Sequence, residues 1–169
     1  MNKTIKFICP LIVVADIKRS RHFYETVLNQ KVTVDYGNNV TFEGNFSIHQ
    51  KAHYKSLIND KPIEWGSNNF ELYFEFDDLE KMEEQLKKAG VTFVHKAKTE
   101  SWGQKVLRFY DPDNHIIEIG ESMEHLSWRL YKEGHSVEDI SSISMLPEDF
   151  IRNNIKKHNQ SAFNQFAGF

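Results

Sequence analysis

The segment Ile116–Gly120, IIEIG, sets one carboxylate, Glu118, among isoleucines. An acid in an apolar strand loses its hydration unless a cation, a metal or a hydrogen-bond donor meets it. The alternative is an acid on a strand edge that faces water. A second acidic set comes from strict alternation over Phe70–Phe76, with Leu72, Phe74 and Phe76 on one face and Glu71, Tyr73 and Glu75 on the other. The polar face points into a pocket or into solvent. Arg108, between Leu107 and Phe109, either meets an anionic substrate or is a solvated or salt-bridged arginine, the commoner case. Trp102-Gly103 can form the lip of a pocket with Phe42, Tyr73 and Phe109 as walls, although aromatic residues line cores as readily as pockets. Glu71, Glu75 and Glu118 together could receive a cationic or hydrogen-bonding ligand.

These side chains need strands to carry them. Val106–Gly120 reads as a hairpin in which Asp111-Pro112-Asp113-Asn114 makes the turn and His115 is expected to be exposed. Upstream, 7–15 is a buried strand with Pro10 marking an edge or bulge. Asp16 caps a helix over 17–30, with Ile17, Phe23, Tyr24, Val27 and Leu28 at helical spacing. Strands follow over 31–36, 40–43 and 46–50. Residues 51–68 lack a clear period and read as a connecting loop with a helical turn near 54–58. The order then repeats: a strand over 70–76, a helix capped by Asp77-Asp78 and closed by Gly90, a strand over 91–95, then the hairpin. Asp16 and Asp78 are separated by 62 residues, as are Cys9 and Glu71, and His49 and Glu118 fall on the last strand of each half. The chain is therefore a duplicated β-α-β-β-β unit whose halves must pair to bury their sheets.

The pattern CPLIVVADIKRSRHFYETVL, followed by FYDPDNHIIEIGE, resembles the vicinal oxygen chelate superfamily, which includes glyoxalase I, bleomycin-resistance proteins, fosfomycin-resistance enzymes and extradiol dioxygenases. The likeness spans about 5–122 and is strongest at 16–28 and 109–121. It implies an α+β fold of paired βαβββ modules, about 5–50 and 69–122 with linker 51–68, whose mixed sheet forms a cup. Active members of that superfamily hold a divalent metal there. Carried over position by position, the ligand set falls on Cys9, His49, Glu71 and Glu118, and only Glu118 is the family's usual residue. Zn, Mn, Ni, Mg or Fe is the implied cofactor, with Glu118 and Glu71 as catalytic candidates and Tyr73, Trp102, Phe109 and Arg108 as ligand-binding ones. The activity implied is that of a metal-dependent lyase, isomerase or transferase of the glyoxalase type. The alternative is a metal-free, non-catalytic binder of a cationic drug-like molecule. A homodimer is a further expectation, with the modules paired either within one chain or across the dimer.

Residues 123–169 lie beyond the resemblance. They read as a helical extension: 124–132, a helix over VEDISSI capped by Ser136, and a helix after Pro147 with Phe150, Ile151 and Ile155 as its apolar stripe. The last two faintly resemble a helix-turn-helix, which opens a third reading as a regulatory module. Five basic residues against six acidic ones in this stretch argue against DNA. Packing on the cup, on a partner subunit or at the pocket mouth is expected instead, with a mobile tail over 158–169. A formal charge of −3 in 169 residues gives no reason for nucleic-acid or anionic-membrane binding, and one cysteine excludes an internal disulfide framework. The apolar run 8–15 is broken by Pro10 and stopped by Asp16, a poor leader core, so a cytoplasmic location is expected.

Overall fold

The computed structural model describes the backbone of residues 4–166 and side chains through residue 160. The first half runs β1 (Leu11–Val14), α1 (Ile17–Thr26), β2 (Val32–Asp35), β3 (Asn39–Phe42) and β4 (Phe46–Gln50), and α2 (Lys51–Leu57) follows. The second half runs β5 (Glu71–Glu75), α3 (Leu79–Lys88), β6 (Phe93–Thr99), β7 (Lys105–Tyr110) and β8 (Ile116–Gly120). Three helices close the chain: α4 (Met123–Lys132), α5 (Val137–Ser144) and α6 (Glu148–Phe166). Each half makes one mixed four-stranded sheet of the same order, β1-β4-β3-β2 and β5-β8-β7-β6. The duplicated β-α-β-β-β reading holds.

By contacts the chain forms two compact units that cut across the halves. The first holds the chain up to Glu71 with Lys88–Val91 and Tyr110–Ile116; the second holds Leu72–Lys87, Thr92–Phe109 and the chain from Ile117 onward.

In the first unit, Asp16 stays extended and accepts hydrogen bonds from the Lys18 and Arg19 amides, at 2.9 and 3.1 Å, which satisfies donors the new helix leaves open. Tyr24 on α1 then packs on Phe42 and Phe46 of the sheet and edge-on against Phe23, and Ile12, Val14 and Ile48 are buried in the same half. The helix stops at Thr26, short of the expected residue 30, and Asn29 turns the chain through a left-handed φ of 51°. Strand β1 is also shorter than expected. Phe7 and Ile8 are exposed, Pro10 has no amide to donate, and pairing with β4 begins at Leu11 opposite Ser47. The edge position that Pro10 suggested is found.

The turn Asp111–Asn114 belongs to this first unit and is far from a solvent-facing loop. Asp113 accepts from the Ala15 amide at 3.2 Å, from Arg19 at 2.6 Å and from the Ser20 hydroxyl at 2.8 Å. Asp111 accepts from the buried Tyr24 hydroxyl at 2.9 Å and from His115 Nδ1 at 2.9 Å. His115 was expected to be exposed; this bond and an edge contact with Trp65 half-bury it. Burial, then the charge of Asp111, pushes the Tyr24 phenol well above its ordinary range.

Residues 51–57, read from sequence as loop with a helical turn near 54–58, form a full helix that begins earlier than that turn. Helix α2 starts directly after β4 without a side-chain cap. His53 and Tyr54 hold it on the sheet by packing against His49. No apolar stripe announces it, because its anchor is a polar ring.

In the second unit, Asp78 caps α3 through the Lys81 amide at 3.0 Å, and Leu79, Met82 and Leu86 are buried. Gly90 closes the helix at φ 71°. Strand β6 extends to Thr99, past the expected residue 95, because its later residues pair with β7 while their polar side chains stay in water. Leu126, Leu130, Ile140, Ile151 and Ile155 of α4–α6 form a core of their own. Gly103 joins that core: at φ 81° it leaves room for Ile143, whose Cγ2 would lie 2.8 Å from any added Cβ. Backbone helix continues through residue 166 where a mobile tail was expected, and 167–169 lie outside the described residues. No helix among the described residues is long and apolar enough to cross a membrane.

Candidate functional site

Hydrogen bonds from Asp111 N to the His115 carbonyl and from Glu121 N to the Lys105 carbonyl bracket the β7–β8 hairpin and set Arg108 directly opposite Glu118. Glu118 is buried, and its carboxylate forms an ion pair with the Arg108 guanidinium. The same guanidinium reaches Glu100 at 3.0 Å and the ring of His95 at 3.2 Å. Burial pushes the Glu100 carboxyl up, but hydrogen bonds from Lys98 and Arg108 outweigh it and hold the group below its usual range. The acid that stood out in the sequence is thus met by a cation from the next strand.

Two residues along β8 on the same face lies Gly120, where an added Cβ would strike Tyr73 and Gln104. The missing side chain makes space for a polar chain. Trp102 Nε1 donates to Gln104 Oε1 at 2.9 Å, Gln104 Nε2 donates to the Tyr73 hydroxyl at 2.9 Å, and Tyr73 donates to Glu75 at 3.1 Å. Burial raises the Tyr73 phenol, opposed by the Gln104 bond and assisted by Glu75. Buried Gln104 also donates to the Glu121 carbonyl at 2.7 Å. Behind it, Arg129 of α4 clamps Glu121 at 2.6 Å and the Gly103 carbonyl at 2.7 Å. The helical extension therefore fixes the loop that carries Trp102.

Of the ligand-binding candidates, Tyr73, Trp102 and Arg108 stand on or beside this polar face of the second sheet. Phe109 does not: it is fully buried on the opposite face against Phe93. Glu71 is exposed at the start of β5 and lines a hollow of about 300 Å³ with Asn68, Asn69, Phe70 and Ile116. Gln104, Glu100 and His95 were missed by sequence reasoning. The hairpin register could have paired Arg108 with Glu118, but nothing periodic marks Gln104.

The remaining metal candidates lie on the first sheet. His49 of β4 is 6% exposed. Asn39 donates to its Nδ1 at 3.2 Å, and its Nε2 shares a proton with His53 Nδ1 at 2.7 Å. Burial, then the neighbouring His53, lowers its pKa. Cys9, in the segment before β1, places its thiol 3.4 Å from the Ser47 hydroxyl, which bonds Thr41 at 2.8 Å. These donors do not fit a divalent ion. Glu118 is engaged by a guanidinium and both nitrogens of His49 are taken. Among the described residues no three His, Cys, Asp or Glu side chains are gathered to hold a metal.

The glyoxalase-like domain family matches residues 7–124. No curated protein matches the chain. A protein of unknown function from Agrobacterium tumefaciens strain C58 aligns at 36% identity over 72% of this chain and 97% of its own, with a TM-score of 0.65. A glyoxalase/bleomycin resistance protein/dioxygenase from Nocardioides shares the fold at 18% identity, 71% and 85% coverage, and TM-score 0.55. The fosfomycin resistance protein FosX from Mesorhizobium loti does so at 20% identity, 77% and 99% coverage, and TM-score 0.51. With the duplicated βαβββ topology, the family match over most of its length places the chain in the glyoxalase-like domain family of the vicinal oxygen chelate superfamily.

Proposed function

We propose that this chain is a small-molecule-binding member of its family that takes its ligand on the polar face of the second sheet without a divalent metal. The observation that carries this reading is the Arg108–Glu118 ion pair. At the glutamate position where active relatives use a metal, a covalently tethered cation already neutralises the carboxylate. The face bears Glu75, Glu100 and Glu118 against Arg108 and Lys98, with Tyr73 and Trp102 alongside, which leaves Glu75 beside the aromatic rings as the carboxylate open to a ligand with an amine or another hydrogen-bond-donating group. This is the chemistry of a sequestering protein rather than of a metal-assisted isomerase.

The test is a thermal-shift screen of amine-bearing aromatic compounds in chelator-treated buffer, beside elemental analysis of freshly purified protein. Expected are substoichiometric metal, a stabilising compound that needs no added ion, and weakening of its binding by at least about tenfold in Glu75→Gln and Tyr73→Phe. One equivalent of tightly held Mn, Ni or Zn would overturn the reading, as would binding restored only by such an ion.

A further inference from the structure

Helices α4, α5 and α6 enclose more than their own core. Between them lies a groove of about 890 Å³, within the range of small-molecule sites. Tyr131 of α4, Val137 of α5 and Ile155 of α6 give it an apolar floor, with Arg152 and Lys156 on one side. The two cations differ in kind. Arg152 is shared between Glu138 at 3.0 Å and Glu148 at 2.9 Å, so its charge is already spoken for. Lys156 lies one turn further along α6, on the same face, and has no ion-pair partner among the described residues. The groove thus offers apolar surface beside Asn159, Gln160 and one lysine that has no ion pair among the described residues. It lies in the extension, outside the 7–124 span of the family match, and shares no residue with the polar face of the second sheet.

We propose that this groove is a second binding site, for an amphipathic anion: an apolar body that covers Tyr131, Val137 and Ile155, with one carboxylate or sulfonate head at Lys156. The charge pattern selects against the alternatives. A cationic amphiphile would place its head against Lys156. A polyanion such as nucleic acid would meet Glu138 and Glu148 beside the one lysine.

Titration calorimetry of the full chain with dodecanoate, below its micellar range, tests the proposal. Dodecyltrimethylammonium serves as the charge-reversed control, and Lys156→Glu and Lys156→Arg as variants. Lys156 and its substitutions are solvent-facing, so folding is preserved. Expected is saturable one-to-one binding of dodecanoate, weakened about tenfold or more by Lys156→Glu and retained by Lys156→Arg, with no binding of the ammonium compound. No saturable binding, equal binding of both amphiphiles, or an affinity indifferent to Lys156→Glu would each overturn it.

Discussion

Arg108 and Glu118 hold each other in place of outside partners, and the energetics of such a pair are lopsided. Removing Arg108 leaves Glu118 charged and poorly hydrated, which typically destabilises by about 3 kcal/mol, whereas removing Glu118 leaves Arg108 still held by Glu100, and replacing both with apolar groups is close to neutral. Urea unfolding of Arg108→Met, Glu118→Leu and the double variant should therefore show Arg108→Met as the least stable and a double variant that recovers most of its loss. His49 makes a second prediction. In the unfolded chain an imidazole takes up its proton near pH 6.5 (about its ordinary value). In the folded protein burial, and then His53, hold that pKa lower. Protonation therefore favours unfolding: the stabilisation is complete above about pH 6.5 and is lost as pH falls through the lowered folded value. Between pH 7 and 5 the wild type should lose more stability than His49→Gln, measured as unfolding free energy at each pH; parallel curves would refute it. Little of this chemistry was legible beforehand. Glu118 announced itself by its isoleucine neighbours, but its partner came from hairpin register. Both partners of His49 are set by tertiary placement: Asn39 by strand pairing and His53 by a helix that sequence periodicity does not show.

At the scale of elements, local signals carried further. The caps Asp16 and Asp78, the stop at Gly90, and the alternation in β5 all act within a few residues, and each element appears where they put it. Helix α5 shows the same logic at its start. Ser136 accepts from the Asp139 amide at 3.0 Å while the Asp139 carboxylate accepts from the Ser136 amide at 3.2 Å. Its end is less well made. Met145 closes it in the left-handed region at φ 60°, exposed, where a β-carbon is disfavoured by about 1 kcal/mol relative to glycine. Met145→Gly should raise stability by about 0.5–1 kcal/mol, seen as a higher urea midpoint with an unchanged slope. The elements missed or misjudged were those held from outside: α2, anchored by a polar ring, and β6, whose later residues satisfy their backbone on β7 while their side chains stay wet.

On the scale of the molecule, the turn Asp111–Asn114 does more than reverse a hairpin. Its two carboxylates accept the Ala15 amide, Arg19, Ser20 and Tyr24 from the opposite end of the sequence. Asp113→Ala would strand the Ser20 hydroxyl and the Ala15 amide, at about 2–4 kcal/mol. Hydrogen exchange should then quicken at residues 15–20 ahead of the rest of the sheet. Sequence reading saw Asp and Asn as turn formers, which they are, but a turn former's second task is invisible without its partner.

That arrangement also sets a clock. Ala15 and Asp113 are 98 residues apart, and a ribosome adding about 5–20 residues per second delivers the acceptor roughly 5–20 s after the donor. Throughout that interval the first helix emerges with Tyr24 and Ser20 unanswered. A nascent chain that stalls before Pro112 cannot complete its first unit, however well its early strands pair. Quality control that samples this protein during synthesis therefore has a defined moment to wait for, the exit of the turn at 111–114.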